Sequence, residues 1–246
     1  MRASLQAAHE ADLALYVITD TGLAGGIDRV PAIAAEAVRG GAGILQVREK
    51  DASDADVAEL VRAVRDAIRS AIGAEAASRV PLVVNDRLAV AAELGCHVHI
   101  GQSDTAAREA RAALPPHLMV GLSVSTPDQV RAAREEGIAD ILGIGPIHAT
   151  TTKPNTPDPL GTQGLRACLR PLAGSAEAPR AVAIGGITEQ NAEEIAATGV
   201  DGLCVVSAVI AADDPHGAAA RLRQRIAAGH TRAPATPEQS DPTPQS

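Results

Sequence analysis

The stretch GIGPIHATTTK, residues 143–153, predicts the fold class of this chain. The apolar run 138–144 is typical of a buried strand, and the proline, threonines and lysine that follow are typical of a polar loop. Proteins built from alternating strands and helices carry their chemistry in such loops. Three consecutive threonine hydroxyls and one lysine ammonium are suited to an anionic ligand. Taken alone, the loop fits a solvated turn equally well.

The same alternation of strand and helix extends along most of the 246 residues. Short runs rich in strand formers predict eight strands, at residues 13–19, 44–47, 81–84, 97–100, 119–122, 138–144, 181–184 and 202–206. Apolar residues at helical spacing predict eight helices, at residues 30–39, 54–72, 88–94, 105–113, 127–136, 162–172, 189–198 and 218–226. Eight such units in about 220 residues predict a single (β/α)8 TIM barrel. An open doubly wound sheet is less favoured, because TDTGLAGG after the first strand lacks the GxGxxG spacing.

We expect the barrel to span residues 1–228 as one α/β domain, and the proline-rich segment 229–246 to be a disordered tail. The chain is 46% hydrophobic but has one tyrosine and no phenylalanine or tryptophan, so small aliphatic side chains must fill the core. Without aromatic platforms, and with a formal net charge of −8, neither nucleic acid nor a membrane surface is an expected partner. Small-molecule ligands are expected instead.

The cysteine pattern and the lack of long apolar runs indicate a cytoplasmic protein. Cys96, Cys168 and Cys204 are far apart and form no CxxC pair, which argues against a zinc site or a disulfide framework. No apolar run approaches the ~18 residues that span a membrane, and the N-terminus does not resemble a signal peptide. The sequence leaves the oligomeric state open, with a homo-oligomer as one outcome.

Polar residues follow most of the predicted strands, and a barrel brings all strand ends to one mouth. Cations, amides, hydroxyls and glycines prevail among them, which suits a phosphorylated ligand. They are Gln46, Arg48, Lys50, Asn85, Asp86, Asp104, Ser123, Thr150, Thr152, Lys153, Gly185, Gly186, Val206 and Ser207.

Asp86 and Asp104 end neighbouring strands, whose axes lie about 5 Å apart. Two carboxylates, with water and phosphate completing an octahedron, are a usual way to hold Mg²⁺. On spacing alone, each aspartate fits better as the cap of the helix that follows it. His99 is expected to be a core histidine, and no role is predicted for Asp20.

Seven motifs at the strand ends occur in the order QVREK, VNDR, GCHVHIGQSD, GLSVST, GIGPIHATTTK, AIGGI and VVSAV. Together, over residues 15–211, they resemble the thiamine-phosphate synthase (thiamine-phosphate pyrophosphorylase) family. The resemblance implies a TIM barrel that condenses 4-amino-5-hydroxymethyl-2-methylpyrimidine diphosphate with 4-methyl-5-(2-hydroxyethyl)thiazole phosphate. The implied products are thiamine phosphate and diphosphate.

The resemblance also implies roles for individual residues. Asp86 and Asp104 would bind Mg²⁺ on the diphosphate, and Ser123 would contact the pyrimidine. The residues expected to hold the pyrimidine diphosphate are Gln46, Arg48, Lys50, Asn85 and Lys153. The residues expected to hold the thiazole phosphate are Thr150, Thr152, Gly186, Val206 and Ser207. Ser123, Lys153 and Arg48 would be the catalytic residues of this set.

The pair His148-Ala149 departs from the family pattern, which usually has an aromatic or apolar residue followed by proline or alanine here. A related barrel, the thiazole tautomerase, uses a histidine for proton transfer, so an isomerase of that type is the alternative. A non-catalytic binding protein for thiamine intermediates is a third hypothesis. The synthase is favoured because a tautomerase has no need of the predicted site for a metal and a diphosphate.

Overall fold

The computed structural model describes residues 1–101, 107–150 and 157–232. Its strands are β1 (Leu15–Ile18), β2 (Ile44–Val47), β3 (Leu82–Asn85), β4 (His97–Ile100), β5 (Val120–Val124), β6 (Ile141–Ile144), β7 (Arg180–Ile184) and β8 (Gly202–Val205). Each strand pairs in parallel with the next, and β8 pairs with β1. The sheet is therefore a closed barrel with its strands in sequence order, which confirms the predicted fold.

The helices that surround the barrel include the predicted ones and four short additions. They are α1 (Ala3–Glu10), α2 (Thr21–Ala24), α3 (Val30–Arg39), α4 (Asp54–Ile72), α5 (Ala74–Ala77), α6 (Leu88–Leu94), α7 (Ala107–Ala113), α8 (Pro127–Glu136), α9 (Gly161–Leu169), α10 (Ala192–Ala196), α11 (Ser207–Ile210) and α12 (Pro215–Arg232). The described part of the chain contains no helix that combines the length and apolar character of a membrane crossing.

Alternate residues of each strand face the barrel interior and the surrounding helices, which divides the core into two clusters. On β1, Tyr16 and Ile18 join the interior cluster, whereas Val17 packs in the layer between strands and helices. Aliphatic residues dominate both clusters, as the composition predicts. Tyr16, the single aromatic residue of the chain, is buried inside the barrel.

Local hydrogen bonds begin the helices where the sequence predicts them. The Ser53 hydroxyl accepts a bond from the Asp56 N–H, and the Asp56 carboxylate accepts one from the Ser53 N–H, which makes a full capping box for α4. The Thr126 hydroxyl accepts a bond from the Gln129 N–H at the start of α8. These bonds satisfy donors that a helix leaves free in its first turn.

No secondary structure was predicted before residue 13, but Ala3–Glu10 forms α1, which closes the N-terminal end of the barrel. Ala8 packs against the interior cluster, and α1 is anchored by Asp140, just before β6. The buried Asp140 carboxylate accepts bonds from Arg2 Nη2 at 3.0 Å, Ser4 Oγ at 3.0 Å and the Val120 N–H at 2.9 Å. Because α1 covers this end, the opposite end of the barrel is the open mouth.

The last helix continues to Arg232, beyond the predicted end at residue 226 and four residues past the predicted domain boundary at 228. Gly229 is the first residue of the predicted tail, but it is buried where α12 crosses α10. A side chain there would overlap the Glu193 carbonyl oxygen, so glycine permits close packing of the two helices. The division into barrel and tail stays a prediction, since residues 233–246 lie outside the described residues.

Candidate active site

A cavity of about 390 Å³ opens at the C-terminal ends of the strands, and every strand contributes to its lining. The predicted residues that line it are Gln46, Arg48, Lys50, Asn85, Asp86, Ser123, Thr150, Gly185, Gly186, Val206 and Ser207. Asp104, Thr152 and Lys153 lie outside the described residues. The volume suits a small organic ligand. Barrel closure thus brings together residues separated by up to about 160 positions, as expected for this fold.

A second cavity of about 480 Å³ lies at the other end, beneath α4 and α5. Arg65, Arg69, Cys96 and His97 contribute to its lining. His97 is held in a structural role, because its Nδ1 accepts the Met119 N–H at 2.9 Å and burial lowers its pKa to about 4. The mouth cavity is the better candidate, since it combines a carboxylate, cations, amides and hydroxyls.

The cationic part of the mouth lies after β2 and is fixed by the end of β1. The Arg48 N–H donates to Thr19 Oγ1 at 3.1 Å, and its guanidinium Nη1 lies 3.2 Å from Asp20 Oδ2. Asp20 also caps α2 by accepting the Leu23 N–H at 3.0 Å. Asp20, which had no predicted role, therefore orients the Arg48 side chain toward the mouth.

Uncharged buried side chains form the floor of the mouth, among them Gln46 and Cys204, and Tyr16 is buried beside Gln46. Gln46 Nε2 donates to the Tyr16 hydroxyl at 2.7 Å, which holds the amide against the cavity wall. Burial raises the pKa of Tyr16 well above its ordinary value, and burial also raises the pKa of the Cys204 thiol. Both groups therefore stay protonated near neutral pH, and Cys204 offers no thiolate to a reactive ligand.

The carboxylate of the mouth comes from Asp86, at the tip of the turn after β3. Its φ of 62° is the one positive value outside glycine in the described ranges. Asn85 Nδ2 donates to Asp86 Oδ2 at 2.6 Å, and the Asp86 N–H donates to the His99 carbonyl at 2.9 Å. Arg87, not Asp86, is the N-cap of α6, and no side-chain bond caps this helix. The capping alternative for Asp86 is therefore not supported.

The oxygen atoms of Asp86 and Asn85 are the kind of ligand that a hard cation such as Mg²⁺ prefers. A carboxylate next to a carboxamide oxygen is the kind of partial ligand set that Mg²⁺ uses when phosphate and water supply the remaining positions. No group of three or more histidine, cysteine, aspartate or glutamate side chains forms a metal cluster within the described ranges. A cation here would accordingly depend on ligand phosphate, and on Asp104, which the family resemblance assigns to the metal.

Ser123 lies on the wall between these groups and the β6–β8 side of the mouth. Its Oγ is 2.9 Å from His99 Nε2 on the neighbouring strand β4. The sequence favoured a core position for His99, whereas the structure places it on the cavity wall. Alternation along β4 predicts the direction of the side chain, but it does not predict this bond to Ser123.

The glycines after β7 allow the β6 loop to approach the mouth. Gly185 and Gly186 have φ values of 99° and 63°, which other residues rarely adopt. A side chain on Gly186 would lie 2.6 Å from His148 Cβ and 2.8 Å from the Ala149 carbonyl oxygen. The His148 N–H donates to the Gly185 carbonyl at 3.0 Å, so the two loops form one wall beside Thr150.

His148 itself is not explained by this wall. Its Nε2 is buried, and it has no hydrogen-bond partner in the part of the chain that the structure describes. Its backbone is used in the contact between the two loops, but its imidazole does not line the mouth cavity. The structure thus gives His148 a backbone role and assigns no chemistry to its ring.

Comparisons with known proteins identify the family of this barrel. Residues 15–209 match the model of the thiamine monophosphate synthase (TMP-TENI) family. A thiamine-phosphate synthase of Albidiferax ferrireducens is 43% identical over 215 residues, which cover 87% of this chain and 92% of that protein. A solved structure of a thiamine phosphate pyrophosphorylase from Pyrococcus furiosus is similar with a TM-score of 0.75 and 31% identity, covering 90% of this chain and 98% of that one.

One relative is a longer protein, and the chain matches only part of its length. The thiamine biosynthesis multifunctional protein ThiED of Corynebacterium efficiens is 44% identical over 217 residues, which cover 86% of this chain. The match spans 28% of the length of that protein. Because the family model covers nearly the whole barrel, from β1 to α11, this chain belongs to the thiamine monophosphate synthase family.

Proposed function

We propose that this protein joins 4-amino-5-hydroxymethyl-2-methylpyrimidine diphosphate to 4-methyl-5-(2-hydroxyethyl)thiazole phosphate, giving thiamine phosphate and diphosphate. The observation that carries the proposal is the composition of one cavity. It has two cations and a carboxylate on the β2–β3 side, and a glycine turn with a hydroxyl-bearing loop on the β6–β8 side. The cavity therefore offers two separate binding regions, one for each anionic substrate.

The diphosphate group would be held on the β2–β3 side. Arg48 and Lys50 supply positive charge there, and the ion pair with Asp20 holds the Arg48 guanidinium in place in the absence of ligand. Lys153 is assigned to the same group by the family resemblance. Mg²⁺, bound by Asp86 and by Asp104, would neutralise charge that builds up on the diphosphate oxygens as the diphosphate leaves.

The pyrimidine ring would lie over the floor, against Gln46 and Ser123. Departure of the diphosphate leaves positive charge on the exocyclic methylene carbon, which the amino-pyrimidine ring delocalises. An uncharged floor does not oppose that charge. The neutral Tyr16 hydroxyl and Cys204 thiol are also poor nucleophiles, so burial of these groups protects the carbocation from capture by the protein itself.

The thiazole phosphate would be held on the opposite side, by hydroxyls and backbone amides. Thr150, Gly186, Val206 and Ser207 line this part of the cavity, and Thr152 is assigned there by resemblance. Binding of the phosphate directs the thiazole nitrogen toward the methylene carbon, where the new carbon–nitrogen bond forms. No protein base is needed, because the attacking nitrogen carries no proton.

An isomerase of the tautomerase type is less consistent with the mouth. It would leave Asp86, Asn85, Arg48 and Lys50 without a role, although all four line the cavity. It would also require a histidine that acts on the ligand, and the His148 ring does not line the cavity. We therefore retain the synthase as the single proposed function.

The test is release of diphosphate in the presence of both substrates and Mg²⁺. We expect diphosphate and thiamine phosphate in equal amounts, with neither formed when the thiazole phosphate is omitted or a chelator is added. Arg48→Gln should lower kcat/KM for the pyrimidine diphosphate by about 100-fold. Arg62→Gln is the matched control, because Arg62 forms an exposed ion pair with Glu93 on the outer helices. Absence of diphosphate from the wild-type reaction would refute the proposal.

A further inference from the structure

We propose that His99 is a positioning residue that fixes the Ser123 hydroxyl against the pyrimidine ring. This inference rests on the proposed function and adds a residue to it. The bond between His99 Nε2 and Ser123 Oγ is 2.9 Å long, and both side chains line the mouth cavity. His99 would act through Ser123, without bonding the reacting atoms.

The position of His99 in the barrel is set by strand alternation and by pairing. Val98 and Ile100 are fully buried under the helices, so His99 points to the interior of the barrel. Its Cα is the register partner of Asn85 on one side and of Gly121 on the other. The backbone is tied as well, because the His99 carbonyl accepts the Asp86 N–H at 2.9 Å.

Two glycines make room for the imidazole. A Cβ on Gly121 would overlap the Nδ1 atom of His99, and a Cβ on Gly143 would lie 3.2 Å from its Cε1. The ring therefore packs against the backbone of β5 and β6 at these two glycines, and its Nε2 atom reaches Ser123. Close packing on both strands leaves the imidazole little freedom to rotate.

A fixed serine hydroxyl has consequences for ligand orientation. The hydroxyl carries one hydrogen and two acceptor pairs, and it rotates freely unless a neighbour binds it. The bond to His99 uses one of these sites and directs the remaining ones into the cavity. The substituted pyrimidine presents an amino donor and ring-nitrogen acceptors, so a directed hydroxyl favours one orientation of the ring. In that orientation the methylene carbon faces the thiazole side of the mouth.

A double-mutant cycle tests whether His99 works through Ser123. His99→Leu and Ser123→Ala should each lower kcat/KM for the pyrimidine diphosphate by about tenfold, the size expected for one oriented hydrogen bond. The double variant should be no slower than Ser123→Ala alone. KM for the thiazole phosphate should change less than twofold, because its site lies across the mouth.

Two further variants separate positioning from packing. His99→Gln places an amide near the position of Nε2 and should restore most of the rate, which a purely structural role for the ring does not predict. Ser125→Ala is the matched control, since the Ser125 hydroxyl also lies in the cavity but bonds Gln129 Oε1 at 3.1 Å. Its effect should add to that of His99→Leu. If His99→Leu does not fold, His99→Asn, which is too short to reach Oγ, takes its place.

The outcomes distinguish this inference from the proposed function. Additive losses for His99→Leu and Ser123→Ala, in an active wild-type protein, would overturn the positioning role and leave the synthase reaction intact. A wild-type rate for His99→Leu would do the same. A wild-type protein that releases no diphosphate with both substrates and Mg²⁺ would overturn the proposed function, and the positioning role with it.

Discussion

Substitution of Asp86 should separate stability from turnover, because its backbone is strained and its carboxylate is in the mouth. A φ of 62° costs an ordinary residue about 1–2 kcal/mol, whereas glycine adopts it freely and aspartate and asparagine tolerate it. Asp86→Gly frees the backbone, but it raises the entropy of the unfolded chain at a cost of ~0.5–1 kcal/mol, and it loses the bond from Asn85 at a cost of about 1 kcal/mol. Relief of backbone strain offsets part of this, so the free energy of unfolding should fall by about 1 kcal/mol.

The other two variants bracket this one. Asp86→Asn keeps an oxygen that can accept the Asn85 amide, now at 2.6 Å from the carboxylate, so its stability should stay within about 0.5 kcal/mol of wild type. Asp86→Ala places an ordinary side chain at this φ and loses the bond, so unfolding should become easier by about 1–2 kcal/mol. For a chain of this size that corresponds to a fall in Tm of roughly 3–6 °C.

Turnover should follow a different order. All three variants remove the carboxylate proposed to hold Mg²⁺, so each should lower kcat by about 100-fold or more and raise the Mg²⁺ concentration for half-maximal rate. Thermal denaturation and diphosphate release across a Mg²⁺ titration measure the two properties. If Asp86→Gly and Asp86→Asn keep the wild-type rate while Asp86→Ala loses it, activity follows backbone strain and the metal assignment is wrong.

Three further predictions concern the rest of the molecule. Asp140→Ala leaves hydrogen-bond donors of α1 and β5 without an acceptor and should lower the free energy of unfolding by about 3 kcal/mol. An unchanged Tm would contradict the anchoring of α1 by Asp140. Gly121→Ala should slow turnover more than Gly143→Ala, because its methyl group overlaps the His99 ring. Equal rates would contradict the close packing of the His99 ring against Gly121. Truncation after Arg232 should leave diphosphate release unchanged, and a lost activity would show that the tail is needed.

The order of the elements was the part of the fold that sequence periodicity predicted well. Each strand such as β2 or β6 is a short apolar run, and a barrel requires the same burial of every strand, so the signal repeats eight times. The segment that became α1 was missed for the opposite reason. It buries only Ser4, Leu5 and Ala8 and is anchored through the distant Asp140, so its own pattern is weak.

The candidate site shows the same division between local and long-range information. Strand ends could be read from the sequence, and the cavity collects most of the residues that follow them. Contacts between those residues could not be predicted from the sequence. The ion pair of Arg48 with Asp20 joins residues 28 positions apart, and the bond of His99 with Ser123 joins residues 24 apart. The left-handed backbone of Asp86 is likewise set by the surrounding turn and not by residue type alone.

Sequential strand order also suits one mouth to the two anionic substrates of the proposed reaction. In a closed barrel of eight strands numbered around the ring, strands four apart face each other, so β2 lies across from β6 and β3 from β7. The cations and Asp86 follow β2 and β3, whereas Thr150 and Gly186 follow β6 and β7. In the proposed reaction, the diphosphate that leaves and the phosphate that stays would therefore be held on opposite walls, over an uncharged floor. The methylene carbon and the thiazole nitrogen would then meet near the barrel axis, where the floor residues Gln46 and Cys204 offer no charged nucleophile.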